Sequence, residues 1–340
     1  MKELIEIYSK KGIAGVNRYL KKVLNRSIVW RILIKLDQRF FAFSNLFSFT
    51  EAQEKLISTH GIQKAAESFL KKLGISYSLK PPLPNLLRGR KKGVLIVGVN
   101  HPGFFEPIIL LSLIKRKKVK LIINRFFYLA GKNFQKYTLP VTARLFAREK
   151  KSDLVTKFNL YHRLYRAQLL SENQIDRMNE VSLKSGTRCL ERGGVVILFP
   201  GGGGSEKKVW RNGLSKLVHT ISENKRKNVI LLPVYFEGVG EKRMIVRIYR
   251  SFRAISQNPL RVSVQFGKPT NLQRFLKGFD DAPSENHFTE VYRTKTFEEF
   301  AIPRPNISFV YANKLLSFVL NLNLIKGIIL MFERIYSGRA

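Results

Sequence analysis

The sequence predicts an α/β fold: a mixed, mainly parallel sheet flanked by helices, with an N-terminal helical extension and a C-terminal amphipathic tail. Three observations predict this class. Residues 1 to about 80 carry apolar residues at helical spacing and contain no proline. From Gly93 onward, short apolar runs alternate with helical patterns. Several of these runs are apolar on both faces, which is typical of parallel strands covered by helices on two sides.

The N-terminal region is predicted to be a helical unit of residues 1–85. Within it, "IVWRILIKLDQRFFAFSNLF" (28–47) mixes large apolar residues with arginine and lysine. Two interpretations are open for this stretch. It is either a basic amphipathic helix on a membrane surface or a plain helix packed on its own core. "SLKPPLPNLLRGRKKG" (78–93) then marks a break, because prolines and a basic cluster interrupt the pattern.

The central region, residues 86–275, is predicted to hold the sheet. Its strand candidates are "GVLIVGVN", "VKLIINRF", "GVVILFP", "NVILLPVYF" and "RVSVQFG". The segments between them are long enough for crossover helices, so a layered α/β domain follows. In such sheets, ligands gather outside the carboxyl ends of the strands.

The last region, residues 276–340, is predicted to start irregular and polar and to end in an amphipathic helix. Its apolar stretch "LLSFVLNLNLIKGIILMF" (315–332) contains Lys326 and two asparagines. A lysine at the centre of a membrane span costs roughly 2.5–3.5 kcal/mol. We therefore expect this tail to lie in a membrane interface rather than to cross it.

The charge balance is strongly basic. The chain has 61 lysines and arginines against 24 acidic residues, a net charge of +37. Such an excess suits nucleic acid, an anionic membrane or a phosphorylated substrate. The single cysteine, Cys189, excludes an internal disulfide framework and fits a reducing compartment. The first residues have neither the apolar run nor the cleavage site of a secretory signal.

A histidine and a glutamate form the first candidate site. His101 directly follows the strand "GVLIVGVN", and Glu106 comes five residues later. Of the five histidines, His101 alone has an acidic residue at that spacing. If Pro102 and Gly103 turn the chain into a helix, the carboxylate returns to the imidazole and fixes its tautomer. The other ring nitrogen can then take a proton from a hydroxyl. The alternative is a structural histidine.

A glycine run forms the second candidate site. "GVVILFP" opens into Gly201–Gly204 and then Ser205. Glycines leave backbone N–H groups unshielded, so such a loop can approach an oxyanion or a phosphate closely. The lysine that a P-loop requires is missing. The alternative is a flexible turn.

The order of these stretches resembles the glycerolipid acyltransferase family, whose type member acylates lysophosphatidic acid. That family shows N-H-x-x-x-x-D after a strand, then F-P-E-G-T-R-S, an F-K-x-G stretch and a V-P-V strand. The corresponding stretches here are "NHPGFFE" (100–106), "FPGGGGS" (199–205), "WRNG" (210–213) and "LPV" (232–234). "VQFGKP" (264–269) is similar to the late G-x-P strand of the family. The resemblance covers roughly residues 90 to 270.

The chain departs from the family pattern at two places. Glu106 stands where most members have aspartate, although the lipid A late acyltransferase branch has glutamate there. Gly201, Gly203 and Gly204 stand where the family has glutamate, threonine and arginine, which help to hold the acceptor's phosphate. The resemblance also implies a phosphate-binding arginine in a middle block. Arg144 and Arg148 are both open for this role, and a solvated surface arginine is the alternative for each.

The resemblance implies an O-acyltransferase that uses acyl-CoA or acyl carrier protein as donor and a lipid as acceptor. His101 would be the general base, with Glu106 behind it. No cofactor is expected, and the sequence predicts no metal site, because it has no cysteine pair and no His-x-x-x-His. We expect a peripheral or monotopic protein on the cytoplasmic face of the cell membrane, bound to anionic lipid. Two other readings are a non-catalytic lipid-binding relative and, less favoured, a nucleic-acid-binding protein.

Overall fold

The computed structural model describes a set of segments that together hold most of the chain. They are residues 2–24, 43–89, 91–101, 105–142, 170–202, 210–238, 247, 250–252, 257–279 and 283–302. The predicted amphipathic tail (315–332) and most of the stretch 28–47 lie outside the described residues.

Helices and strands alternate through the middle of the chain. The strands are β1 (Ile75–Lys80), β2 (Gly93–Gly98), β3 (Val119–Asn124), β4 (Thr138–Val141), β5 (Val195–Leu198), β6 (Val229–Glu237), β7 (Leu260–Phe266) and β8 (Thr270–Asn271). The helices are α1 (Lys2–Leu24), α2 (Phe43–Lys72), α3 (Glu106–Leu113), α4 (Arg125–Tyr128), α5 (Lys132–Gln135), α6 (Glu172–Glu191), α7 (Gly213–His219), α8 (Glu223–Arg226), α9 (Leu272–Leu276) and α10 (Glu285–Glu299). A short 3₁₀ helix spans Asn85–Leu87.

The strands of the described segments form one 8-stranded sheet with the order β1-β7-β6-β2-β5-β3-β4, and β8 pairs with β6. The pairs β1–β7, β6–β2, β2–β5, β5–β3 and β3–β4 are parallel. The pairs β7–β6 and β6–β8 are antiparallel. The predicted mixed, mainly parallel sheet is therefore confirmed. The carboxyl ends of β2 to β6 meet along one side of the sheet, which we call the carboxyl edge. The opposite side, where these strands begin, is the amino edge.

Burial on both faces explains the apolar strands. All six residues of β2 are buried. Val94 and Ile96 pack into a core with α2 and α3 on one face. Leu95 and Val97 pack into a second core with α6, α7 and α10 on the other face. A strand between two such cores has no solvent-facing position, so every residue along it must be apolar.

The structure corrects the predicted secondary structure in two places. All five predicted strands are present, but the helical prediction to about residue 80 is wrong over Ile75–Lys80, which forms the edge strand β1. One face of β1 is buried or half-buried, and the polar residues that alternate with it are exposed. The chain after Phe275 was predicted irregular, yet Glu285–Glu299 is helical. There the Ser284 side chain caps the helix and accepts from the His287 N–H.

The N-terminal helix α1 lies close to the carboxyl edge. It consists of two helical pieces joined at Gly12, whose φ is 61°. A side chain at Gly12 would come within 2.6 Å of the Leu129 carbonyl oxygen, just beyond α4, which follows the carboxyl end of β3. The Asn17 amide also donates to the Glu51 carboxylate of α2 at 2.8 Å. In the described part of the chain, no helix combines the length and the apolar character that a membrane crossing needs.

Candidate active site

The candidate site begins where β2 ends. Beyond Gly98 the chain continues the ladder with β6, because the Val99 N–H donates to the Val234 carbonyl at 2.9 Å. His101 follows two residues later, at the carboxyl edge. Residues 102–104 lie outside the described segments, and α3 begins at Glu106. The imidazole therefore stands at the end of one element and the carboxylate at the start of the next.

The two side chains lie within hydrogen-bond distance. His101 Nδ1 is 2.8 Å from Glu106 Oε2. The Glu106 side chain is 0% exposed, and that of His101 is 16% exposed. When Glu106 is ionised it can only accept, so Nδ1 is then the donor in this contact and Nε2 is the candidate base. The first turn of α3 also favours the negative charge of Glu106 through the helix dipole.

The side chain of Asn100, the residue before the histidine, anchors the end of β2 to β6. Its side-chain amide donates to the Phe236 carbonyl at 2.7 Å, and its oxygen accepts from the Phe236 N–H at 2.9 Å. Asn100 is 0% exposed. The amide thus continues the β2–β6 ladder where the backbone of β2 turns away. Sequence reasoning quoted Asn100 in its motif but assigned it no role; an amide directly after a buried strand was the available signal.

Phe199 packs against the imidazole from the end of β5. The two ring centroids are 4.6 Å apart, with an angle of 32° between the ring planes. Gly98 makes room for this ring, since a side-chain carbon at Gly98 would lie 2.1 Å from two of its atoms. Sequence reasoning missed this relation. A glycine at the end of an otherwise apolar strand was its signal, because such glycines mark close approaches.

The glycine run begins at Gly201, two residues after Phe199. Gly201 is buried, and Gly202 has a φ of 65°, a conformation that favours glycine. The Gly202 N–H donates to the Phe199 carbonyl at 3.1 Å, which closes a turn. The Pro200 carbonyl accepts from the Arg211 N–H, also at 3.1 Å, so both ends of the loop are tied together.

Several predicted site residues fall outside the described part of the chain. They are Gly203, Gly204 and Ser205 in the loop, and both arginine candidates, Arg144 and Arg148. Among the described residues, no group of three or more His, Cys, Asp and Glu side chains could hold a metal ion. The structure thus brings His101 and Glu106 together, and Phe199, which lies two residues before the glycine run, packs against the imidazole.

A cavity of about 490 Å³ lies away from this pair. It sits between α6 and the outer strands β3 and β4, and its lining includes Lys120, Arg177 and Val181. Neither His101 nor Glu106 lines it.

Comparison with known proteins found structural likenesses but no match in sequence. No protein-family model matches the chain, and no curated protein matches it in sequence. Among solved structures, the crystal structure of the 1-acyl-sn-glycerophosphate (LPA) acyltransferase PlsC from Thermotoga maritima is similar at a TM-score of 0.41. The identity is 15%, over 81% of this chain and 95% of that chain. The strand order and register of the chain itself define the fold.

Proposed function

We propose that the chain is an O-acyltransferase. It moves a fatty acyl group from acyl-CoA or acyl carrier protein to a hydroxyl of a lysophospholipid, a glycerol-phosphate or a related lipid. The observation that carries this proposal is the 2.8 Å contact between His101 Nδ1 and the fully buried Glu106 carboxylate. The pair lies at the carboxyl edge, where α/β sheets bind their ligands. The order of the sequence stretches described above supports the same reaction.

The proposed reaction starts with proton removal. His101 Nε2 takes the proton of the acceptor hydroxyl while the hydroxyl oxygen attacks the thioester carbonyl carbon. Glu106 holds the imidazole and stabilises the imidazolium that forms. The new C–O bond gives a tetrahedral oxyanion, which collapses by breaking the C–S bond. The departing thiolate takes the proton back from the imidazolium, so the products are an ester and a free thiol, and the histidine is unchanged.

The oxyanion needs hydrogen-bond donors, and the glycine run is the proposed source. The Gly202 N–H already donates to the Phe199 carbonyl. Under this proposal, the donors therefore come from the other residues of 201–205. Those N–H groups of the run that do not face the oxyanion would bind an acceptor phosphate through the backbone alone, which is weaker than the bidentate contact of an arginine.

Membrane association is part of the proposal, because lipid acceptors reside in the bilayer. We place the contact at α1, whose Lys11, Arg18 and Lys22 are exposed and which packs near the carboxyl edge. Each such cation near an anionic membrane contributes about 1 kcal/mol of attraction. The proposed location is the cytoplasmic face of the cell membrane, as a peripheral or monotopic protein. Fractionation tests this: complete release by high salt would argue against apolar insertion.

The test of the reaction uses purified protein with labelled acyl-CoA or acyl carrier protein and a panel of lyso-lipids and sugar lipids. His101→Ala should lower turnover by about 10²–10⁴-fold, which is the usual rate contribution of a positioned general base. Glu106→Gln should also lower it, because an amide can donate to Nδ1 and so move the proton to Nε2. His60→Ala is the matched control, since His60 is exposed on α2. Unchanged turnover after His101→Ala would remove that residue from the mechanism.

The glycines at 201, 203 and 204 favour a second candidate, a lipid-binding relative without catalytic activity. The same panel separates the two functions. Lipid binding by the wild-type protein without acyl transfer from either donor would support the second candidate and contradict the first.

A further inference from the structure

Four basic segments of the chain lie at the amino edge. Each precedes one of four neighbouring parallel strands, β6, β2, β5 and β3. Since parallel strands begin on the same side of a sheet, the segments meet there, although they are far apart in sequence. We call this surface the basic edge. Its exposed cations are Arg88, Lys91, Lys92, Lys115, Lys117, Lys118, Arg188, Arg192, Lys225 and Lys227.

Hydrogen bonds hold these segments together. The buried Arg116 donates to the carbonyls of Lys92 and Gly193, the latter at 2.9 Å, and also to the carbonyl of Leu86. The Gly93 N–H donates to the Asn228 carbonyl at 2.8 Å. The Val195 N–H donates to the Lys118 carbonyl at 2.9 Å. These bonds link the segment before each of the four strands to its neighbours, so the cations are held close to one another.

The basic edge has little internal charge compensation. The segments 88–92, 115–118, 188–193 and 222–228 contain two acidic residues, Glu191 and Glu223. Glu191 accepts from the backbone and side chain of Ser222, and Glu223 lies 3.6 Å from Arg226. Four strands span roughly 15 Å at about 4.8 Å per step. Because the Debye length is about 8 Å at physiological salt, neighbouring cations repel one another here. A polyanion would relieve that repulsion.

The position of the basic edge speaks against the bilayer as its partner. β2 and its continuation to Asn100 cover eight residues, or roughly 25 Å at about 3.3 Å per residue. A membrane at the amino edge would therefore sit a full strand length from His101. A lipid acceptor drawn from that membrane could not reach the imidazole.

The composition of the basic edge speaks against a protein partner. The four segments contain no aromatic residue. Among the described residues, Val181 is the one exposed large apolar side chain, and it lies on α6 away from these segments. Protein–protein interfaces are depleted in lysine and enriched in aromatic residues, whereas nucleic-acid interfaces are far more positively charged.

We propose that the basic edge binds the phosphate backbone of nucleic acid. Because the four segments have no aromatic side chains to stack on bases, the edge contacts phosphates and does not read sequence. This activity is separate from acyl transfer, because it uses the opposite side of the sheet from the His101–Glu106 pair.

Two variants of equal charge test the proposal. The edge variant carries Lys91→Gln, Lys117→Gln, Lys225→Gln and Lys227→Gln. The control variant carries Lys55→Gln, Lys64→Gln, Lys216→Gln and Lys295→Gln, all at exposed positions on α2, α7 and α10. Fluorescence anisotropy with labelled 20-base-pair duplexes of two unrelated sequences, as DNA and as RNA, gives the affinity between about 50 and 300 mM salt.

The edge variant should bind at least tenfold more weakly at 100 mM salt, equally for both sequences. The slope of log affinity against log salt should fall by about 2–4, since each lost phosphate contact on DNA removes about 0.9. The control variant should change affinity less than threefold. Both variants should unfold at the wild-type urea midpoint and keep any acyl transfer activity, so this test does not depend on the proposed reaction.

Three results would overturn the proposal. Equal weakening in both variants would mean that binding follows net charge alone. A loss of binding to vesicles with 30% anionic lipid, as large as the loss for duplexes, would identify the bilayer as partner. Poly-glutamate binding the edge as tightly as a duplex of equal charge would point to an acidic protein.

Discussion

Replacing Asn100 tests whether the side-chain bridge to β6 holds the candidate site. Its amide makes two hydrogen bonds to the Phe236 backbone, at 2.7 and 2.9 Å. Asn100 is 0% exposed and Phe236 is 1% exposed, so bulk water does not reach this contact. Asn100→Ala removes the donor and the acceptor together and leaves a buried N–H and a buried carbonyl of Phe236 without these partners.

The expected cost follows from those two groups. A buried polar group left unpaired costs about 1–3 kcal/mol. A water molecule entering the vacated space would recover part of it, so we expect a loss of about 2–4 kcal/mol in the free energy of unfolding. That is a large share of the roughly 5–15 kcal/mol of a typical domain.

Urea unfolding followed by tryptophan fluorescence measures this loss. Trp210, which is 3% exposed, provides a buried reporter. Asn224→Ala is the control, because Asn224 is exposed, and it should change the free energy by less than about 0.5 kcal/mol. If Asn100→Ala unfolds like the control, the bridge does not hold this end of β2 and the reasoning is refuted.

Asn100→Asp makes the same test sharper through pH. A protonated acid can donate to the Phe236 carbonyl and accept from its N–H, as the amide does. An ionised carboxylate would repel the Phe236 carbonyl oxygen. Folding therefore raises the pKa of the introduced carboxyl above the usual value of about 3.9. The free energy of unfolding of this variant is then highest at low pH. It falls as the pH rises, by up to about 1.4 kcal/mol per pH unit. Unfolding at pH 4 and pH 8 should show a small and a large deficit from wild type; equal deficits would contradict the prediction.

Three further substitutions test other contacts by the same unfolding measurement. Gly98→Ala forces the Phe199 ring, 2.1 Å from the added carbon, off the imidazole it packs against. It should cost about 1–3 kcal/mol in the free energy of unfolding and lower any acyl transfer. Adding Phe199→Leu to this variant should recover part of the stability. Arg116→Lys replaces two donor nitrogens with one, so it should lose part of the bonding to three carbonyls and cost about 2–4 kcal/mol. Lys117→Arg beside it should cost nothing measurable. Burial raises the pKa of the Cys189 thiol, so its neutral form stabilises the fold up to the ordinary thiol pKa, and that contribution is lost as pH rises further. Cys189→Ala should therefore lose less stability than wild type between about pH 8 and 10, and identical pH profiles would contradict this.

Several features of the fold and the site could be predicted from local sequence. β2 and β5 are buried at every position, and burial on two faces requires an unbroken apolar run that is visible in the letters. The approach of Glu106 to His101 also depends on few residues, since a short turn between a strand and a helix suffices. These predictions rely on patterns within about ten residues, where backbone geometry limits the possible arrangements.

Other features could not be predicted from local sequence. Asn100 and Phe236 are 136 residues apart, and their contact exists because β2 and β6 are neighbours in the sheet. Strand β1 pairs with β7, which comes much later in the chain, so its place at the edge of the sheet could not be predicted from its own six residues. Strand order is set by the packing of all layers together, and no short segment carries that information.

The amino-acid sequence by itself determined which residues are apolar on two faces, where the chain turns, and that an imidazole and a carboxylate stand five residues apart. Only the tertiary structure decided that the basic segments, which look scattered along the chain, lie on one edge opposite that pair. The physical reason is that the charge of each segment depends only on its own residues, whereas its position depends on the sheet. Parallel strands begin on one side of the sheet and so bring together segments that are distant in sequence.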